Sequence, residues 1–413
     1  MRRNILILLL ALMLSSASAM ATDTRVLTMG DNNMVLLDEA NIRVFPSRVY
    51  EYPNLAIGQF GGDDFQELGI HWKFGTDNPW VLGTYFSKMA IGQPTGFYDG
   101  TPFGHFTEDL DLTNERIDLF YGRPNLIANH NFGFHFGYIR ASYDHEDLVA
   151  AEDYKEKIYY YDFGFGLTEA NGDYDAAVHI AFGGWTDEGV NADDTGVVQS
   201  EPDGFMDLVA VFRKFRQINP EWTAIFHAGL NLGKRGVKDH GADAGPVDWS
   251  TKNDLITKDS RFSLDAGLGA NWTPATNVLV VGDVGIAYES VKREETWTTA
   301  YSTPAGSQEM TKTDIIFPYW SIGFDADVFK WLDIRMGARS WWIAGKNEEG
   351  GDFTEKYRLA VNDTYLGFGF HWGRLHIDTQ TDPDLFLRGF DFITGNGGDD
   401  DMNAQISAAY ELM

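Results

Sequence analysis

The chain has no cysteine, so neither disulfides nor thiolate metal sites are open to it. After the first few residues, no apolar run approaches the roughly 20 residues a membrane helix needs, which excludes a helical membrane protein. Nothing like a heptad or a long amphipathic helix appears either. Cations are scarce, 32 against 61 acids, for a net charge of −29, and phosphate binding needs clustered cations. Nucleic acid is therefore not expected as a partner. What the chain does have is glycine (44 residues), aromatics (14 %) and acid, a mixture suited to a β protein with tight packing and solvated loops.

The N-terminus reads as an export signal. Arg2 and Arg3 precede an apolar run from Ile5 to Leu14, and Ala17-Ser18-Ala19 supplies small residues for cleavage before Met20. Residues 1–19 are thus expected to be removed, leaving roughly 390 residues, enough for one large barrel.

Periodicity decides the class. From Arg261 to Trp272 the even positions are Phe, Leu, Ala, Leu, Ala and Trp, while the odd ones are Arg, Ser, Asp, Gly, Gly and Asn. A strand sends successive side chains to opposite faces, so this segment separates two unlike environments. Asp173–Gly183, Leu332–Trp342, Leu366–Trp372 and Ile406–Leu412 alternate in the same way. Aromatics such as Phe262 and Trp272 bracket the apolar faces, as at the two interfaces of a membrane barrel. Short turns alternate with long acidic segments, at about 144–156, 188–203, 235–260, 292–312, 346–361 and 380–402 among others. With the C-terminal strand ending in the periplasm, short turns fall on that side and long loops outside. The first hairpin, turning at 62–64, is the exception. The expectation is an all-β, antiparallel up-and-down transmembrane barrel over 55–413 with about 16 strands, the first hairpin and the 115–122 strand being the weakest, and 14 as the alternative count. Assembly machinery that reads C-terminal strands and outer-membrane lipid with lipopolysaccharide are the partners this implies.

Residues 20–54 break the pattern. Met34–Ala40 reads as a short helix, and Pro46 and Pro53 interrupt extended pairing. The segment is either a plug in the lumen or a periplasmic tail. Its order of Gly30, then Leu37-Asp38-Glu39-Ala40-Asn41, then Phe45-Pro46-Ser47 resembles the hatch of the FadL-like superfamily of outer-membrane barrels, which includes PorV-like proteins. The resemblance covers about 30 residues, with Phe-Pro-Ser standing where the family has Asn-Pro-Ala. It implies a 14-stranded transporter of hydrophobic compounds, with Asp38, Glu39, Asn41 and Pro46 in the hatch.

On the polar faces, Asp265, Asp283, Asp325, Asp333, Arg335, Arg339, His371 and Asp378 are expected to line a solute path, since mixed charge in a lumen can set a constriction. His71, His135, His179, His371 and His376 recur there too, but without ligand spacing, so no metal site is expected. Acidic external loops at 144–147, 187–194 and 395–401 could take calcium but match no known loop motif; otherwise no cofactor is expected. No Gly-x-Ser-x-Gly elbow exists, and no enzyme is expected. These readings point to passive uptake of small molecules through a gated lumen, or else to a non-transporting scaffold or secretion-associated barrel.

Overall fold

The computed structural model describes residues 23–61, 66–76, 79–90, 113–127, 129–147, 152–190, 197–242, 253–297, 306–349, 353–381 and 405–412. The expected signal segment and most of the acidic loops lie outside them. Of the acidic runs, 144–147 and 187–188 fall within strands.

Sixteen antiparallel strands close into one barrel, each paired with its sequence neighbours and the last with the first. The five short ones are β1 (Leu55–Gly61), β2 (Gln66–Phe74), β3 (Trp80–Ala90), β15 (Leu375–Thr381) and β16 (Gln405–Glu411). From β4 (Thr113–Ile127) to β7 (Tyr174–Val190), by way of β5 (His130–Asp147) and β6 (Glu152–Glu169), strands run 15–18 residues. The tallest wall runs from β8 (Val197–Asn219) through β9 (Trp222–Ala242), β10 (Asn253–Ala275), β11 (Val278–Trp297), β12 (Gly306–Phe329) and β13 (Leu332–Glu349) to β14 (Phe353–Trp372). Closure rests on a seven-residue register from Leu55↔Glu411 to Gly61↔Gln405. Every open strand edge is thereby removed, as a bilayer requires.

The count of 16 agrees with the alternation in the sequence and departs from the 14 strands that the family resemblance implies. The sequence-derived strands are too short, however. Segments taken as external loops, such as 235–260, 292–312 and 346–361, are largely ladder: β10 and β11 pair continuously from Leu255↔Trp297 to Trp272↔Val280. Apolar alternation stops where lipid stops, but backbone pairing continues into water, where cross-strand charges replace it. Arg293 meets Asp259 at 2.9 Å, and Lys292 bridges Glu294 and Glu309 at 2.8 and 3.0 Å.

Large apolar side chains cover the outside. Leu68, Leu264, Leu268, Ile286, Ile322 and Met336 are all exposed on outward positions. Rings gather beside the short turns: Phe74 stacks on Trp80 at 4.3 Å, Trp222 on Trp272 at 5.2 Å, and Phe329, Trp331, Phe370 and Trp372 form a continuous row. Phe262 lies ten residues above Trp272 on β10, the length of a strand that crosses a bilayer. An exposed apolar band with rings at both margins has no soluble counterpart and identifies a membrane-spanning barrel.

Candidate functional site

Residues 23–54 enter the barrel at the short-turn end and pack against its inner wall. A one-turn helix, α1 (Asp23–Thr28), is followed by two 3-10 turns, Glu39–Ile42 and Pro46–Glu51. The helix read from Met34–Ala40 is absent. Asp38 instead caps the first 3-10 turn: its side chain accepts from Ala40 N–H, and its own N–H donates to Asn41 Oδ1 at 3.1 Å. A capping aspartate takes extended backbone and halts a helix running into it. Pro46 opens the second turn, where its missing N–H costs nothing.

Two kinds of contact hold this segment. The first is apolar. Val26, Met29, Val35 and Leu36 pack with Phe215, Ile225 and Val281 of the wall. Ile42 and Val49 join Leu55, Ile57, Val81, Tyr85 and Phe120. Val44 and Phe45 join Ala177 and Val211. Burying such a side chain fully is worth about 1.5–3 kcal/mol. The inward face is therefore apolar beneath the segment, and Ile139, Tyr160, Ala181 and Phe205 form a further apolar patch away from it, a distribution that two-fold alternation does not carry.

The second kind is ionic. Arg25 bridges Asp325 of β12 at 3.0 Å and Asp38 at 3.1 Å. Arg43 pairs with Glu67 of β2. Arg48 takes Asp175 of β7 through two nitrogens at 2.9 Å each and Glu51 at 2.6 Å. From the wall, the fully buried Arg213 of β8 donates to Asp175 at 2.7 Å, to the carbonyls of Asn33 and Leu36 at 3.1 and 2.8 Å, and to Asn41 Oδ1 at 2.9 Å, while stacking over Phe45. Asn271 Nδ2 donates to the Val35 carbonyl at 2.9 Å, and Arg339 pairs with Asp31. Burial by itself would lower the pKa values of Arg25 and Arg43, but facing carboxylates outweigh it and hold both above the usual arginine value. Glu39 is pushed well above the ordinary carboxyl range, first by burial and then by the charge of Asp38.

The residues expected to line a solute path all face inward, and most are occupied with one another or with the N-terminal segment. Arg335 binds Asp325 at 3.2 Å, Asp333 at 3.0 Å and Asp378; His371 sits on Asp333. Arg339 binds Asp363 at 2.9 Å besides Asp31, and Asp283 and Asp265 flank His227 at 3.0 and 3.8 Å. Asp38 and Asn41 hold Arg25 and Arg213, Glu39 is buried, and Pro46 lies against the wall at Gly133. Sequence reasoning passed over Glu67, Asp175 and Arg213. A charged residue at an inward position beside apolar ones, as in Val209-Val211-Arg213-Phe215, is the signal that marks them.

No protein-family model matches the chain, and no curated protein matches it in sequence. Among solved structures, the toluene transporter TbuX of Ralstonia pickettii is similar at 9 % identity and a TM-score of 0.41, over 95 % of this chain and 99 % of that one. The toluene transporter TodX of Pseudomonas putida gives 9 % and 0.38 over 96 % and 100 %. The ferric yersiniabactin receptor FyuA of Yersinia pestis gives 7 % and 0.40 over 87 % and 80 %.

Proposed function

We propose that this protein is an outer-membrane channel or transporter that admits small molecules passively through a lumen gated by its N-terminal segment. The observation that carries the reading is the lodging of residues 23–54 against the inner wall without forming a strand of the sheet. A segment held this way can rearrange without opening the barrel. The apolar anchors make wholesale expulsion costly, so local displacement is the route of opening. The inward-facing charges of Asp265, Asp283, Asp333, Arg335, Arg339 and Asp378 favour small polar solutes over hydrophobic ones.

The test is conductance in planar bilayers. The full chain should give small or rare openings, and a variant lacking residues 23–54 should give large, steady ones. If neither conducts while both migrate as folded barrels, the protein does not transport and serves as a scaffold.

A further inference from the structure

Histidines separated by 44 positions meet on the inner wall. In the register of β5, β6 and β7, His135 lies opposite Gly164, and Gly164 lies opposite His179. A Cβ at position 164 would stand 2.4 Å from the His179 ring and 3.1 Å from His135 Cβ, so only glycine lets the two histidines share the space between them. Asp162, two residues before Gly164, shares its face of β6. His135 Nδ1 lies 3.5 Å from Asp162 Oδ2, and His179 Nδ1 lies 3.8 Å from Asp162 Oδ1. One ligand atom from each residue falls within 4.8 Å of the others, and all three residues are buried.

The far nitrogen of each ring is already assigned. His135 Nε2 faces a carboxylate oxygen of Asp118 at 2.7 Å, and His179 Nε2 faces the Val44 carbonyl at 3.0 Å. Both partners only accept, so each Nε2 carries the proton, and in the neutral ring each Nδ1 carries a lone pair. Both Nδ1 atoms face the Asp162 carboxylate, which His179 contacts directly, and His135 Nδ1 is buried without a hydrogen bond. A buried carboxylate facing two ring nitrogens, one of them without a hydrogen bond, is a place that a cation can occupy. A histidine whose second nitrogen is fixed by a carboxylate or a backbone carbonyl is the arrangement that supports metal ligation. For metal bonds of about 2.0–2.1 Å, a tetrahedral ion places its ligands about 3.3–3.4 Å apart; the three ligand atoms here lie within 4.8 Å of one another, so the side chains close in slightly around the ion.

We infer that His135, Asp162 and His179 form a site for a divalent transition-metal ion, with zinc the best match to two imidazoles and one carboxylate. Imidazole ligands exclude calcium and magnesium, which take oxygen. Three protein ligands leave a fourth position for water. Because His179 also holds the Val44 carbonyl, the ion braces the N-terminal segment against the wall. The acidic trio Asp325, Asp327 and Asp333 differs, since Arg335 already bridges two of its members.

The test uses the full mature chain without a histidine tag, stripped by chelator and titrated with Co²⁺. One ion per chain should bind, with the intense visible absorption of four- or five-coordination, and Zn²⁺ should displace it. His135→Gln and His179→Gln should each weaken Co²⁺ binding at least tenfold. Heat-modifiable migration of each variant reports whether the barrel has formed. A weak spectrum typical of six oxygen ligands, or binding unchanged in both folded variants, overturns the assignment. Should the variants not fold, X-ray absorption of the zinc-loaded wild type decides: imidazole scattering supports the site, and an all-oxygen shell refutes it.

Discussion

Arg213 concentrates more of the N-terminal segment's fixation than any other side chain described above. It neutralises Asp175, satisfies two backbone carbonyls and stacks on Phe45, all out of contact with water. Removing one member of a buried ion pair costs about 3–5 kcal/mol where the other is left uncompensated; Arg48 still holds Asp175 here, so the loss is smaller. The Asn33, Leu36 and Phe45 contacts join the segment to the wall, while the Asp175 pair lies between β7 and β8, whose backbone ladder remains, so Arg213→Ala should loosen the segment and spare the barrel. The expected result is faster proteolysis within residues 23–54 and more frequent channel openings, at unchanged heat-modifiable migration. Glu39 acts through the solvent. It holds its proton to higher pH when the segment is docked and regains an ordinary carboxyl pKa, near 4.5, when it is released. Docking therefore binds protons. Glu39's contribution is fully present below about pH 4.5 and is lost as pH rises from there through the raised docked value. Asp38, also pushed up by burial, acts in the same direction, while Arg25 opposes it. Openings should increase with pH over that window, and Glu39→Gln should flatten the dependence.

Among the elements, the strands were legible and the lodged segment was not. Alternation at 261–272 or 332–342 needs no tertiary information, because lipid on one side and lumen on the other impose it residue by residue. That is why the number and order of strands came through while their outer ends did not: above the lipid no apolar face remains to be read. Residues 23–54 obey no such rule. Their conformation is set by single partners far away in sequence, Arg25 with Asp325 and Arg48 with Asp175, and by one cap at Asp38 that overrides the helical reading of Met34–Ala40. The candidate site divides likewise. Inward-facing charges could be found by parity, but their pairings could not, nor could the meeting of His135 with His179. The wall also carries recesses for the segment. At Gly133 an added Cβ would fall 2.1 Å from the Pro46 carbonyl carbon, and at Gly337 it would fall 2.2 Å from Gly30 N. Backbone on both sides leaves nothing flexible to yield. Gly133→Ala and Gly337→Ala should therefore dislodge the segment and raise conductance. Gly58→Ala, whose nearest neighbours lie at 3.5 and 3.6 Å, should leave conductance unchanged.

The whole molecule is lopsided. Its wall is 15–24 residues tall along β4–β14, while β15, β16 and β1 span seven residues each and β2 nine. A seven-residue strand is roughly 24 Å long and, tilted by about 45°, rises only ~17 Å against an apolar band of ~25 Å. Among the described residues the paired part of the seam is therefore shorter than the hydrocarbon it faces, and lipid beside it compresses to meet it. Such deformation costs fractions of a kcal/mol per Å and is confined to one flank. Thermal stability should fall as the barrel is reconstituted in lipids of increasing chain length, with hydrogen exchange rising first in β1 and β16. A barrel thinned on one flank has a preferred neighbour: two copies that set their low flanks together share one compressed patch of bilayer instead of maintaining two. Membrane thickness, acting on that flank, would then decide whether these molecules disperse or gather.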